Sequence, residues 1–458
     1  MLPTGVYLAS YSVTIHFKSG HQLVLDKSTE VVGPNYIDSI RLHSTLAGTN
    51  KNPVGVLAAN TLSLELTSKD LSLDPTNKSS PFYGDMNSSA WVQIHLVLED
   101  DTQLNMGIYY VDTWQPNITN STPFYISIEC VDLLSIICKM KVPQVSITFG
   151  MTLAQYLARL FDKINEQLDS QYRINYDVST MTFGLWSEFN YQQLNTTNMG
   201  DMLNTISQCT LTNLYIDQDN FFRTDYICDD TPADIVMTIL ADTDTYQASL
   251  APSTNITYNG VQVSYIPNDE DAESSLATLN NIEIAPGDTE LKDISIGGKA
   301  FSITSISITG DNVTQVYVSL IQYDKDAIHL TIHSDEDVTK MTSIEIQGIQ
   351  AKSDSLVYNG QDRSSVLEMK NTILGKRDIA SFTAKLKQLI ELKEKSISLT
   401  GIYNPRLRIG DLISVNIAGD FNTSGIYKLN DIDLSLASGG LGYKIELMPS
   451  LVVQTGGI

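Results

Sequence analysis

The chain has 458 residues, of which 42% are hydrophobic, and a formal net charge of −24 from 29 basic and 53 acidic residues. This hydrophobic content is ordinary for a globular protein, so extensive disorder is excluded, and about three domains are expected at ~150 residues each. A protein that grips nucleic acid needs clustered Lys and Arg. The sequence has no such cluster, which excludes that class as well.

Residues 1–147 are predicted to form an antiparallel β-barrel or sandwich. Apolar and polar residues alternate in YSVTIHFKSGHQLVL, LSLEL and WVQIHLVL, which is the period of strands with one buried face. The Ser19–Gly20 pair predicts a hairpin turn. A short helix is expected to begin at Asp132 and to cap the barrel.

Residues 148–250 are predicted to form an α+β unit. Apolar residues recur at helical spacing after Thr152, and Thr152 with Gln155 has the spacing of a capping box. A second helix is expected in MGDMLNTISQC, followed by a hairpin that turns at Gln218–Asn220. The change from period two to helical spacing separates this unit from the strands before it.

A second barrel, made of residues 251–268 and 355–458, is predicted to be interrupted by a small inserted β-domain over 269–354. The insertion follows the charged stretch PNDEDAESS and contains short alternating runs. After it, an amphipathic helix and an antiparallel meander close the chain. The apolar phase shifts between Leu429 and Ile432, which predicts a β-bulge there. The expected fold class is therefore mainly β with an α+β domain, two barrels and the inserted domain.

Cysteine and histidine spacing argues against a metal site. The cysteines show no CxxC spacing, so buried free thiols are expected at Cys130, Cys138, Cys209 and Cys228. His329 and His333 stand four residues apart, which in a strand separates them by about 13 Å, too far to bind one ion. We therefore predict no metal site at these residues.

Two acidic stretches, Asp217-Gln-Asp219-Asn220 and the pair Asp242 and Asp244, hint at calcium. Neither has the glycine and distal glutamate of an EF-hand loop, so polar turns are the favoured interpretation. No GxSxG, HExxH, P-loop or GxGxxG motif occurs. The sequence therefore predicts no catalytic, cofactor-binding or metal-binding residues and a protein that is not an enzyme. Because 53 acids give coincidental pairs, an unrecognised hydrolase stays an alternative.

The N-terminus lacks the basic region and unbroken apolar core of a signal peptide. The longest apolar clusters, such as VDLLSIICKM, fall short of the ~18 residues that a membrane span requires. We expect a soluble protein that is made in a cytoplasm and has no stable membrane insertion.

Three segments together resemble the tail-hub and baseplate-hub proteins of tailed bacteriophages. A Gly-aromatic-Tyr-Val-Asp segment at Gly107–Asp112 precedes the short helix at Asp132–Met140, as in the first barrel of that family. MGDMLNTISQCTLTNLYIDQDNFFRTDYI resembles its helix and hairpin with an Asp-rich turn. The third segment is the turn that contains Pro405, Gly410 and Asp411, which resembles the Pro-x-x-x-x-Gly-Asp turn of the second barrel. The chain is similar as well to the hub part of tail-associated lysins and of contractile injection systems.

The resemblance implies two tube-type barrels per chain and a homotrimeric ring that continues or closes a six-fold tail tube. It implies contacts with a distal tail or tail tube ring, a tape-measure protein and tail spike or fibre proteins, with DNA only in transit. The expected location is the tail tip or baseplate of a virion. WVQIHLVL and DLISVNI are the expected wall strands, with Gln93, His95, Ser414 and Asn416 facing lumen or solvent. The alternative is a receptor- or glycan-binding protein, because the inserted domain suits a carbohydrate-binding sandwich.

Overall fold

The structure is a computed structural model that describes residues 8–26, 35–46, 57–86, 89–117, 124–145, 151–183, 198–227, 231–240, 247–251, 260–265, 273–295, 301–310, 313–324, 327–350, 354–359, 366–371, 373–374, 376–391, 396–401, 404–417, 423–437 and 440–450.

The N-terminal region supplies seven antiparallel strands to one large sheet. They are β1 (Leu8–His16), β2 (Gln22–Asp26), β3 (Asn35–Thr45), β4 (Thr61–Ser68), β5 (Trp91–Leu98), β6 (Gln103–Asn117) and β7 (Phe124–Val131). Their spatial order is β3-β4-β7-β6-β5-β1-β2, and the outermost strands β2 and β3 contact each other. This half of the sheet therefore curls around its alternating apolar residues, as the sequence predicts. Gly20 forms the expected turn between β1 and β2, with a φ of 91°.

The α+β unit follows. Its elements are α1 (Leu133–Lys139), α2 (Leu153–Asn165), β8 (Asn175–Asp177), α3 (Met199–Thr210), β9 (Thr212–Ile216) and β10 (Phe221–Tyr226), with short 3-10 turns at Ser170–Tyr172 and Pro232–Asp234. The predicted capping box is present, because the Thr152 side chain accepts from the Gln155 N–H and Gln155 Oε1 accepts from the Thr152 N–H. The predicted hairpin is β9–β10, and it turns through Asn220 at a φ of 62°.

The remaining elements return to strands. They are β11 (Ile235–Leu240), β12 (Gln247–Ala251), β13 (Gly260–Tyr265), β14 (Glu273–Ile284), β15 (Gly287–Ser295), β16 (Phe301–Gly310), β17 (Val316–Asp324), β18 (Ala327–Ser334), β19 (Lys340–Gln350), β20 (Asp354–Asn359), β21 (Val366–Lys370), α4 (Lys376–Glu391), β22 (Ser396–Thr400), β23 (Leu412–Ile417), β24 (Thr423–Ala437) and β25 (Gly440–Pro449). The predominance of strands, with helices concentrated between β7 and β10, confirms the predicted mainly β class.

One 13-stranded sheet joins the seven N-terminal strands to β22, β23, β24 and β25 of the second predicted barrel region. Its path is β12-β22-β25-β24-β3-β4-β7-β6-β5-β1-β2, and β23 with β11 branches from β24. The strand β24 is shared: residues 423–428 pair with β23, and residues 431–437 pair with β3. A register shift between Leu429 and Asp431 separates the two segments, which confirms the predicted bulge. The bulge allows one strand to hold two partners on the same edge.

The strands between 260 and 370 form three smaller sheets. β13 pairs with β20 and β21 and contacts α4. Between β13 and β20 come two three-stranded sheets, β14-β19-β16 and β15-β18-β17. They occupy most of the segment predicted to be an inserted domain.

Two groups of strands lie in a different sheet from the one expected for the domain in which the sequence analysis placed them. β11 and β12 lie inside residues 148–250 but pair with β23 and β22 of the large sheet. The second predicted barrel, 251–268 with 355–458, includes β13, β21 and nearly all of β20, but these three strands form a separate sheet. Alternation along a strand shows that one face is buried, but it does not identify the partner strand. The predicted domain boundaries themselves stay predictions.

Candidate functional surface

One face of the large sheet is polar and open across six consecutive strands. Residues that lie opposite each other in paired strands share a face, and the registers align Thr400, Lys444, Asp433, His43 and Thr61 in one row. We call this surface the open polar face. Its side chains are those of Ser398, Thr400, Lys444, Glu446, Asp433, Ser435, Ser39, Arg41, His43, Thr61, Ser63, Glu65, Tyr125, Ser127 and Glu129. The opposite face of the same strands is buried.

The open polar face carries more acids than bases. The acids are Glu65, Glu129, Asp433 and Glu446, and the bases are Arg41 and Lys444. Hydroxyl groups bind two of the carboxylates, because Ser39 donates to Glu65 at 2.9 Å and Ser63 donates to Glu129. The surface is therefore anionic.

A groove of about 780 Å³ crosses the pairing of β24 with β3. His43 Nδ1 lies 2.8 Å from Asp433 Oδ1 in this groove, and Lys444 Nζ lies 2.6 Å from Glu446 Oε1. The hydrogen bond to Asp433 raises the pKa of His43 despite its burial, and the same bond lowers the pKa of Asp433. Arg41 lines the groove as well. His43 and Lys444 therefore lie beside carboxylates, which leaves no strongly cationic patch here for a phosphate.

The other end of this sheet face is covered by the α+β unit through polar contacts. Lys428 in β24 donates to both carboxylate oxygens of Asp225 in β10, at 2.9 and 3.0 Å. The Asn60 side chain donates to the Ile216 carbonyl, and Tyr110 donates to the Gln171 carbonyl. The Lys428 side chain is only 7% exposed. These contacts fix the α+β unit at one rim and leave the remaining face open.

The predicted turn at Pro405–Asp411 supports the bulged strand. Gly410 has a φ of 89°, which is the left-handed region that glycine tolerates best. Its N–H donates to the Leu429 carbonyl, and the Leu429 N–H donates to the Asp411 carbonyl, both at 2.8 Å. The Asp411 carboxylate accepts from the Arg408 N–H at 2.7 Å, and burial raises the pKa of Asp411 to about 6. The turn therefore fixes β24 at the residue before its bulge.

Asp132 is the N-cap of α1, the short helix that was predicted to begin at this residue, and it joins that helix to the sheet. Its side chain accepts from the Ser135 N–H at 3.2 Å and from the Asn60 N–H at 2.8 Å. The residue is 2% exposed, and burial raises the pKa of Asp132 to about 7. The sequence predicted where the helix begins, but the hydrogen bond to Asn60 depends on tertiary contact and has no local signal in the sequence.

The predicted wall strands present their polar residues to solvent. In β5, Gln93 and His95 are half-buried between fully buried apolar neighbours. In β23, Ser414 is half-buried and Asn416 is exposed. Facing a lumen stays a prediction.

The acidic stretch at Asp217 and the pair His329 and His333, which were considered as metal sites, lie in different parts of the structure. Asp217 accepts from the N–H groups of Asp219 and Phe221 and pairs with Arg223 at 2.8 Å, so this stretch forms a polar turn. His329 and His333 lie on one strand, β18. Across the part of the chain that the structure describes, no group of three His, Cys, Asp or Glu side chains is arranged to hold a metal ion. Asp242 and Asp244 lie outside the described residues.

The described cysteines are free thiols, as expected. Cys130 and Cys209 are buried, and Cys138 is partly buried. Burial raises the pKa of Cys138 to about 11, so this thiol is a poor nucleophile near neutral pH. Cys228 lies outside the described residues. Among the helices that the structure describes, none is long and apolar enough to cross a membrane.

No protein-family model and no curated protein sequence matches the chain. Solved structures of tail proteins overlap nearly all of it. A tail protein from Neisseria meningitidis MC58 is 10% identical, with 95% of this chain and 96% of that chain covered and a TM-score of 0.49. The 43 kDa tail protein of prophage MuSo2 from Shewanella oneidensis is 11% identical, with 96% and 98% covered and a TM-score of 0.49.

Prophage tail protein gp18 from Listeria monocytogenes EGD-e is 7% identical, with 95% of this chain and 94% of that chain covered and a TM-score of 0.46. The chain is similar to these three proteins in the path of its backbone over nearly its full length.

Proposed function

We propose that the chain is a structural hub of a bacteriophage tail or baseplate, and that three copies form a ring that continues or closes the tail tube. The observation that carries this proposal is the open polar face, which runs without interruption from one barrel region into the other across the pairing of β24 with β3. A sheet with one sealed apolar face and one hydrated face is suited to the wall of an aqueous channel.

Ring closure would cover the edge strands of the sheet, which among the described residues are otherwise paired on one side only. The outer strand β12 pairs only with β22 within the described residues, so its other edge can pair with a strand of another copy. Exposed edges invite uncontrolled pairing unless they are covered. Cyclic closure covers them and prevents filament growth. Two barrel regions per chain match a six-fold tube when three chains close the ring.

DNA passes through the proposed ring without being bound. An anionic, hydrated wall repels the phosphate backbone and therefore lowers friction during transit. A second interpretation is that the acids keep a large assembly protein in solution. Two wall residues, Glu65 and Glu129, distinguish these interpretations, because they face the lumen only if the open polar face lines the channel.

The proposed partners are other tail components. They are a distal tail or tail tube ring, a tape-measure protein and spike or fibre proteins, and the proposed location is the tail tip or baseplate of the virion. We further propose that the chain has no hydrolase activity of its own. Zymograms and reducing-sugar assays on host envelopes test this, and cleavage that disappears on mutating one acidic pair would contradict it.

Imaging tests the ring. Electron microscopy of intact particles, supported by native mass spectrometry, should reveal three copies around a channel that is lined by the open polar face. The control is a chain in which a short Gly-Ser bridge replaces residues 269–352, and this change should remove three peripheral lobes while leaving the ring unchanged. A two-fold or six-fold arrangement of the chain, or a channel lined by the α+β unit, would overturn the proposal.

A further inference from the structure

The inserted segment is attached to the rest of the chain at one end only. Tyr265, the last residue of β13, lies opposite Asp354, the first residue of β20. The insertion therefore leaves and returns at the same place. Its strands β15, β17 and β18 meet at the far end, where Val316, Ser334 and Gly287 pair in one row. An eight-residue strand such as β18 places this free end about 24 Å from the attachment.

Three side chains form a row across the free end. Asp288 on β15 lies opposite His333 on β18, which lies opposite Tyr317 on β17. The alternate residues of β18, Ile328, Leu330 and Ile332, are buried, so the row faces away from the core. Tyr317 is 51% exposed. The exposed Val338 and Met341 also lie at this end, near the ends of β18 and β19.

Two carboxylates hold the imidazole of His333. Its Nδ1 lies 2.6 Å from Asp288 Oδ1, and its Nε2 lies 3.1 Å from Asp335 Oδ1. The hydrogen bond to Asp288 raises the pKa of His333 above its usual value. The imidazole and the Tyr317 ring are 5.4 Å apart between centroids. The rings are therefore positioned before any ligand arrives, which reduces the entropic cost of binding.

The carboxylate oxygens of this row that are not yet hydrogen-bonded can accept hydrogen bonds from a hydroxyl-rich ligand. Asp288 and Asp335 each keep a second carboxylate oxygen that makes no hydrogen bond to the described residues, and a carboxylate accepts several hydrogen bonds. An apolar protein partner would bury these oxygens without donors, which is costly. An anionic sugar would be repelled by these carboxylates.

We propose that the row of Asp288, His333 and Tyr317, with Asp335, binds a neutral or amino saccharide. The C–H face of the sugar packs on the Tyr317 ring, and its hydroxyl groups donate to the carboxylates. This site does not depend on the proposed ring, because every contact lies within one chain.

The test measures binding of the full-length chain to immobilised oligosaccharides of glucose, galactose and N-acetylglucosamine. An acidic polysaccharide and a lysine-rich peptide serve as comparison ligands. At least one neutral or amino oligosaccharide should bind. Tyr317→Ala should weaken that binding about tenfold, whereas Tyr317→Phe should stay within about twofold. Tyr83→Ala is the matched control, since Tyr83 is 49% exposed in the N-terminal half, and it should change nothing.

Thermal melts of the three variants should coincide with that of the unchanged chain, because all the altered side chains are exposed. Failure of every neutral and amino oligosaccharide to bind, or equal binding by Tyr317→Ala, would overturn the site. Binding of the lysine-rich peptide or the acidic polysaccharide alone would overturn it as well, in favour of a purely electrostatic surface. None of these outcomes bears on the symmetry of the ring, so the two proposals fail separately.

Discussion

Lys428 shows how single residues attach the α+β unit to the sheet. Its ammonium group is buried against Asp225, and the Asn213 side chain donates to the same carboxylate at 3.1 Å. Removing one partner of a buried pair leaves an uncompensated charge. Lys428→Met should therefore lower the free energy of unfolding by about 3 kcal/mol, measured by urea denaturation.

The matched control is Lys163→Met, which removes an exposed ion pair with Glu166. It should cost less than about 1 kcal/mol. In the double variant Lys428→Met with Asp225→Leu, most of the lost stability should return, because no charge stays buried. Equal losses for Lys428→Met and Lys163→Met would show that Asp225 is solvated and does not anchor the unit.

Asp132 should make stability depend on pH. Burial raises the pKa of Asp132 from 3.8 to about 7, so the folded state holds this proton more tightly than the unfolded state. Between these two pKa values the stability contributed by the protonated form falls as pH rises, by at most about 1.4 kcal/mol per pH unit. We therefore expect the free energy of unfolding, measured from pH 4 to pH 8, to include a contribution from Asp132 that decreases as the pH rises.

Asp132→Asn isolates this component. The amide keeps one acceptor but presents an NH2 group to one of the two N–H donors, so the variant should be less stable by about 1 to 3 kcal/mol at pH 5. The difference in unfolding free energy between the two proteins should then shrink toward pH 8, because only the unchanged chain has a buried charge that destabilises it there. A difference independent of pH would mean that Asp132 titrates normally in the folded state.

At the scale of elements, the inserted domain should be separable from the rest of the chain. Its strands pair only with one another among the described residues, and its ends meet at Tyr265 and Asp354. Replacing residues 269–352 by a short Gly-Ser bridge should leave a chain that unfolds in one cooperative step. Because the buried isoleucines of the insertion belong to the same apolar cluster as β13 and α4, a stability loss of about 1 to 2 kcal/mol is expected.

The control extends the deletion through residue 359. It removes β20, so β13 loses its antiparallel partner and α4 loses its contact with β20. This longer deletion should lower the thermal midpoint markedly in calorimetry. If the shorter deletion aggregates to the same extent, then the insertion belongs to the core of the chain.

Local signals identified most elements, because their causes are local. The capping box at Thr152, the start of α1 at Asp132 and the bulge before Asp431 each depend on residues within a few positions of one another. Pairing partners are different. β3 meets β24 across almost 400 residues of sequence, and alternation in either strand is equally compatible with other partners.

The candidate surfaces were less accessible to sequence analysis for the same reason. The polar residues of the predicted wall strands follow from alternation, but the open polar face needs six strands in register. The row at the free end of the insertion needs β15, β18 and β17 side by side. A signal was present in HSDED, where His333 precedes Asp335 by two residues, yet Tyr317 and Asp288 join it only through strand pairing.

At the scale of the whole molecule, the net charge of −24 has two possible roles. If it serves solubility alone, the position of each acid is unimportant. If the open polar face lines a DNA channel, then acids on that face matter more than equally exposed acids elsewhere. Electrostatic repulsion between a wall and DNA acts within about 8 Å at physiological salt, so only residues facing the lumen contribute.

Glu65→Lys with Glu129→Lys separates these roles. Both residues are exposed on the open polar face, and the change converts its four acids and two bases into two acids and four bases. The assembled ring should then bind double-stranded DNA at ~50 mM salt and release it as salt rises, because phosphate contacts release counterions. Fluorescence anisotropy of labelled DNA measures this. The control, Glu166→Lys with Asp169→Lys, makes the same change in net charge on exposed residues of the α+β unit. Equal DNA binding by both double variants would assign the acids to solubility, whereas binding by the first alone supports an anionic channel wall.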